Sequence, residues 1–221
     1  MQSVIFTDAD WVEPRSQSGM ICAFTTGSYE DAALVGEPVG VPWVPEKIPP
    51  GFLPVHWGSR KQPLASDSST SAEIIAAHYG MKEGCPIMSA LGDFLERQRL
   101  CCKLTPTLRV DNLTCLRHVN KSYTDTWYAY SKACAVRITF LSDLRIAGVI
   151  AASHVRTSIN PADVFTKAFS GTEFAGRARL TGLVYPESCA IDRLGAVARA
   201  LRGRLWRRRA VATLRAYWVR V

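Results

Sequence analysis

At 221 residues with 48% hydrophobic side chains, the chain is long enough to bury one good-sized core. No stretch approaches the roughly 20 uninterrupted apolar residues that span a bilayer, and the first residues lack the charged region, apolar run and small-residue cleavage site of a secretory signal, so a soluble intracellular protein, cytoplasmic or nuclear, is expected. The net charge of +8 suggests a nucleic-acid partner, yet eleven arginines against three acids in residues 172–221 account for all of it, leaving 16 basic and 16 acidic side chains in residues 1–171.

SVIFTDAD, residues 3–10, reads as an apolar strand running into two acids, and GMICAFTT after the turn EPRSQS reads as its hairpin partner. Residues 28–54 carry six prolines and no helical or alternating period, which predicts a loop insertion before VHWGSRKQ resumes as a third strand. Polar SDSSTS then precedes the helical pattern AEIIAAHYGMKEG, with Ser68 or Ser69 as N-cap. Pro86 predicts a break, with IMSALGDFLERQR as a second helical stretch. TLRVD is a short strand ending at Asp111, NLTCLRHV a short helix, and residues 131–147 a longer one stopped by Gly148. VIAASHV is a fifth strand. Asn160 caps a last helix with Pro161 at its first position. This order predicts a mixed α/β fold, one five-stranded sheet flanked by helices, with residues 1–170 as the domain and 171–221 as an arginine-rich, partly helical tail.

Four acids occupy comparable places in that scheme: Asp8 at the first strand's end, Glu73 in the first turn of the long helix, Asp111 at the fourth strand's end, and Asp163 at the start of the last helix. Carboxylates brought together repel one another and need cations, and hard divalent ions with oxygen ligands, above all Mg2+, meet that need. Two ions sharing such a set would clamp a phosphodiester for hydrolysis, with no nucleophilic side chain required. Asp10 is the alternative to Asp8, because alternation puts both on one strand face if the strand continues that far. The seven cysteines show neither CxxC nor zinc-type spacing and are read as reduced, buried thiols.

The phrases TDADW, RSQSG, HWGSRKQP, SSTSAEI, VDN and NPADVFTK follow one another in a fixed order. Over residues 3–170 the chain resembles the ribonuclease H segment of copia-type retrotransposon polyproteins. It departs in the long insertion and in Ser71, where that family commonly has a glutamate. The resemblance implies a ribonuclease H-like fold and places the metal-binding, catalytic acids on Asp8, Glu73, Asp111 and Asp163. It also implies Mg2+ as cofactor (two ions, with Mn2+ as the alternative), cleavage of the RNA strand of an RNA–DNA hybrid, and a reverse transcriptase domain of the parent polyprotein as partner. The competing reading is an inactive retroelement fragment that only binds nucleic acid.

Contacts to the hybrid are expected from Arg60 and Lys61 in the third strand, Asn112 beside the acids, and Arg117, through phosphates and 2′-hydroxyls. His154 stands before the last helix as a candidate proton carrier, although a half-buried histidine is the plainer expectation. Trp11, Trp57 and Trp127 are read as core. The tail's apolar residues Ile191, Leu194, Val197, Leu201, Leu205 and Trp206 recur on a helical stripe opposite arginines, a pattern that can bind nucleic acid or another anionic surface.

Overall fold

A computed structural model describes residues 1–12, 15–26, 29, 51–63, 65–100, 104–121 and 130–182. The chain divides into two compact units, Met1–Leu183 and Val184–Val221. The second, with the expected helical stripe, lies outside the described residues, as do Trp127 and residues 30–50 of the expected insertion. No helix among the described residues is long and apolar enough to cross a membrane.

The sheet is five-stranded and mixed, as expected. It comprises β1 (Gln2–Asp10), β2 (Gln17–Thr25), β3 (Leu53–Lys61), β4 (Thr107–Val110) and β5 (Ala151–His154), in the order β3-β2-β1-β4-β5. β1 runs antiparallel to β2, and β2 to β3, while β1, β4 and β5 are parallel. β1 is thus central and covered on both faces, which is why Val4, Ile5 and Phe6 form an unbroken apolar run rather than an alternating one. Ile5, Met20, Cys22 and Phe24 face one core with the long helix. Val4, Phe6, Ile21 and Ala23 face the other, with Tyr29, Phe52, Ile159 and Leu180.

Helix α1 (Ser69–Arg97) begins on a Ser68 cap and continues unbroken through Pro86, where the sequence predicted an interruption. Pro86 sits on the exposed side, and Met81, Gly84, Cys85 and Met88 keep the opposite side buried across it. Burying those side chains offsets the roughly 3 kcal/mol that an interior proline costs. α1 lies close on the sheet at two glycines. A Cβ at Gly84 would stand 2.5 Å from Cys22 Sγ, and one at Gly80 would collide with Thr7 Cγ2. Gly80→Val is therefore expected to lower the unfolding free energy by about 1–3 kcal/mol, measured by urea denaturation; an unchanged midpoint would show that α1 can ride higher on the sheet.

Helix α2 (Leu113–Asn120) and helix α3 (Lys132–Ile146) follow, and Gly148 at φ 68° ends α3 as its position suggested. The helix expected after Asn160 is instead a short 3-10 turn, Pro161–Phe165. Helix α4 (Gly171–Leu180) lies within the first unit, where Ala178 and Leu180 are buried. Trp57, expected in the core, is 38% exposed because β3 is an outer strand, and Trp11 is 58% exposed with its indole N–H on the Ser66 carbonyl at 3.2 Å.

Candidate metal centre

β1 carries Asp8 to the face where the 161–165 turn docks. Two features seat that turn. Asn160, fully buried, donates from Nδ2 to the Thr7 carbonyl (3.1 Å) while its Oδ1 accepts the Ala162 N–H (3.2 Å). Gly19, the β2 partner of Asp8, leaves the space: a Cβ there would meet Thr166 Cγ2 at 2.8 Å and the Ala162 carbonyl oxygen at 2.9 Å. Asp163 is thereby held beside Asp8, and Asp111 reaches the same place from the end of β4, which pairs with β1.

One carboxylate oxygen from each of Asp8, Asp111 and Asp163 lies within 4.8 Å of the others. Three of the four expected acids therefore converge. Glu73 stands at their side: its Oε1 accepts the Ala9 N–H at 3.3 Å, while its Oε2 is buried with no hydrogen-bond partner among the described residues. Asp10 is not in the group, because its carboxylate accepts the Gln17 N–H and closes the β1–β2 turn. The strand does extend to Asp10, so Asp8 is an interior strand residue rather than its end.

The electrostatics are strained. Asp8 is 1% exposed, and burial, followed by the charge of Asp163, pushes its carboxyl up to about 7 against the pull of Lys167 and Thr166. Burial, then the charges of Asp8 and Asp111, holds Glu73 well above the usual carboxylate range. Asp111 is raised by burial and by Asp8. Burial also raises Asp163, although Lys167 opposes it.

Two cations that the sequence did not single out complete the cluster. Lys167 Nζ lies 2.9 Å from Asp163 Oδ1 and 3.3 Å from Asp8 Oδ1, and Arg177 Nη1 lies 3.6 Å from Asp163 Oδ2. Burial works against the charged Lys167, but Asp8 and Asp163 together outweigh it and hold the ammonium above its ordinary range. Thr166 Oγ1 donates to Asp8 Oδ2. Lys167 ends the phrase NPADVFTK, four residues after Asp163, a spacing that brings side chains onto one face and was its only signal. Arg177 lies beyond the phrases altogether.

With all four acids ionised, the two cations leave a deficit of two positive charges, and the ligand atoms are hard oxygens. That is a fit to a divalent ion of the Mg2+ or Ca2+ type, with one carboxylate oxygen, Glu73 Oε2, still without a donor. Among the described residues the thiols offer no alternative centre. Cys22, Cys85, Cys115 and Cys134 are buried and unpaired, with Cys22 pushed up to about 12 by its burial and then by Cys85.

The expected substrate residues lie on β3 and at the start and along the length of α2. Arg60 and Lys61 are exposed on β3, with the Arg60 guanidinium 6.0 Å above the Tyr79 ring. Asn112 caps α2, its Oδ1 accepting the Cys115 N–H at 2.9 Å, and Arg117 is exposed on the same helix. His154 Nε2 hydrogen-bonds the Asp111 carbonyl oxygen at 3.1 Å, so it braces the backbone that carries an acid of the cluster.

No family model matches the chain, and no curated protein matches it. Among solved structures it is similar to ribonuclease H1 from the halophilic archaeon Halobacterium salinarum, at 13% identity and TM-score 0.41 over 75% of this chain and 95% of that one. It is also similar to LC11-ribonuclease H1 in complex with an RNA/DNA hybrid, at 11% identity and TM-score 0.46 over 75% and 94%. A third is the N-terminal ribonuclease H domain of rv2228c from Mycobacterium tuberculosis, at 12% identity and TM-score 0.42 over 80% and 96%. These are likenesses of overall chain course, whereas the chemistry of the site rests on the geometry of its carboxylates.

Proposed function

We propose that the chain is a metal-dependent ribonuclease H that hydrolyses the RNA strand of RNA–DNA hybrids, and that it comes from a copia-type retrotransposon polyprotein in which it works beside a reverse transcriptase domain. One observation carries the nuclease reading: Asp8, Asp111 and Asp163, far apart in sequence, share a site 4.8 Å across with a deficit of positive charge. The six ordered phrases carry the retrotransposon reading.

Asp8, Asp111 and Asp163 would hold Mg2+, or Mn2+ in its place, with Glu73 facing it. A divalent ion bound there supplies a water of lowered pKa and neutralises charge building on the phosphate oxygens. Charge balance admits one ion in the free protein, and room for a second comes with the negative charge of the phosphodiester. Glu73 Oε2, buried and without a hydrogen-bond partner among the described residues, would accept a hydrogen bond from the attacking water once metal and substrate bring that water to it. Thr166 and Lys167 fix the Asp8 carboxylate in its orientation. Asn160 and Gly19 keep the turn bearing Asp163 against β1.

A hybrid labelled on its RNA strand, incubated with the protein in Mg2+ or in EDTA, tests this. Expected is cleavage confined to the RNA strand of the hybrid and lost in EDTA. No cleavage in Mg2+ would leave an inactive fragment, and equal cleavage of a DNA duplex would overturn the substrate assignment.

A further inference from the structure

A second feature lies on the other side of β2. A groove of about 170 Å³ opens between β3 and α1, and Arg60, Lys61, His78, Lys82 and Arg137 line it with no acidic side chain among its walls. It shares His78 and Arg137 with a shallower depression of about 520 Å³ to which α3 adds Lys132. His78 registers the convergence: burial first, then the charges of Arg137 and Lys82, push its imidazole below its ordinary range. Glu83 acts on Tyr79 from outside the lining. Such a concentration stands out in a body whose residues 1–171 are neutral overall.

The groove also has a floor and a direction. Ile75, His78, Tyr79 and Lys82 follow one another at helical spacing along α1, and the Arg60 guanidinium stacks 6.0 Å from the Tyr79 ring centroid. At its inner end Gln62 Nε2 donates to Ser18 Oγ (3.0 Å) and to the Ala72 carbonyl (2.9 Å), next in sequence to Glu73. Arg60 pairs with Ser18, and Ser18 with Ala9, the neighbour of Asp8. Two strand spacings, roughly 10 Å, therefore separate the register of the basic wall from that of the acids.

We infer that this groove is a docking track for the sugar–phosphate backbone of one strand of the nucleic-acid substrate, holding the duplex while the carboxylate centre meets the scissile phosphate. Ammonium and guanidinium groups over an apolar and aromatic floor, with no acid in the lining, suit a run of phosphates. An acidic polypeptide would present carboxylates at irregular spacing. The inference rests on the nuclease reading for its substrate but on different residues.

The test is binding of a fluorescent RNA–DNA hybrid to the full chain carrying Asp111→Asn, so that the substrate stays intact. Lys82→Glu with Arg137→Glu is expected to weaken binding at least about 10-fold near 0.1 M salt and to reduce the slope of log K against log salt by about 2. Arg97→Glu with Lys121→Glu makes the same change in net charge, with Arg97 roughly 22 Å from Lys82 along α1, and is expected to weaken binding less than about 3-fold. If the reversals disturb the thermal melt, Lys82→Gln with Arg137→Gln carries the same comparison. Equal losses in the two pairs, unchanged affinity in the groove pair, or loss only of polyglutamate binding would each overturn the inference. A wild-type chain that binds hybrid through the groove yet leaves its RNA uncut in Mg2+ would keep the groove and remove the nuclease reading.

Discussion

Asp111→Asn is expected to abolish hybrid cleavage, lowering the rate by at least about three orders of magnitude, or about 4 kcal/mol of transition-state stabilisation, while making the metal-free protein more stable. The two effects have one cause. Asp111 is held above its ordinary range by burial and by Asp8, so its charge is unfavourable in the fold until a cation joins it. Asparagine keeps the shape and an acceptor oxygen but removes the charge, relieving the repulsion and weakening the grip on a divalent ion together. Cleavage assays and thermal melts with and without Mg2+ check both halves. A variant as active as wild type would remove Asp111 from the metal centre. A variant that is inactive and also less stable without metal would make its role structural.

Without divalent ions the protein is expected to lose stability as the pH rises from about 4 to about 7, opposite to the usual behaviour of paired carboxylates. Asp8, Glu73, Asp111 and Asp163 all have folded-state values raised above those of an unfolded chain. In that window the folded state binds more protons than the unfolded one, so stability is full at the low end and falls as the pH passes the folded values. Asp8 alone, moving from 3.8 to about 7, would contribute up to roughly 4 kcal/mol, shared in practice with the groups it couples to. Lys167 is raised as well, but its contribution is present throughout this range and is lost only in strong alkali. Added Mg2+ is expected to bind the ionised set, so its stabilisation should grow between pH 5 and pH 8 and flatten the profile. Urea denaturation at pH 5, 6.5 and 8, in EDTA and in Mg2+, measures this. Equal stability at pH 5 and pH 8 in EDTA would contradict the clustering of the acids.

The sheet and three of the clustered acids were legible because each rests on local chemistry. The run SVIFTDAD, the serine cap before α1, the strand ending beside Asp111 and the Asn160–Pro161 cap are patterns a few residues long. What was not legible depends on distance. Pro86 looks like a break until the buried side of α1 is seen to continue past it. The turn after Asn160 looks like a helix until its side chain is found spent on the Thr7 carbonyl, 153 residues away. Lys167 and Arg177 read as solvated charges, because nothing near them in sequence shows which acids they face. Glu73, expected as a fourth metal-binding acid, stands beside the three aspartates, where the Ala9 N–H holds its Oε1 through a bond between α1 and β1 that no local pattern shows.

The interleaving of chain order and space around β1 has a consequence for birth on the ribosome. β1 is made before its parallel neighbour β4 and before the Asn160 clamp, so Asp8 stays a lone acid on an incomplete sheet until residues 107–110 and 160 have followed it. The nascent chain holds no metal centre until the 161–167 segment has cleared the exit tunnel and closed over Gly19. A centre timed this way forms only after every strand of the sheet has been made.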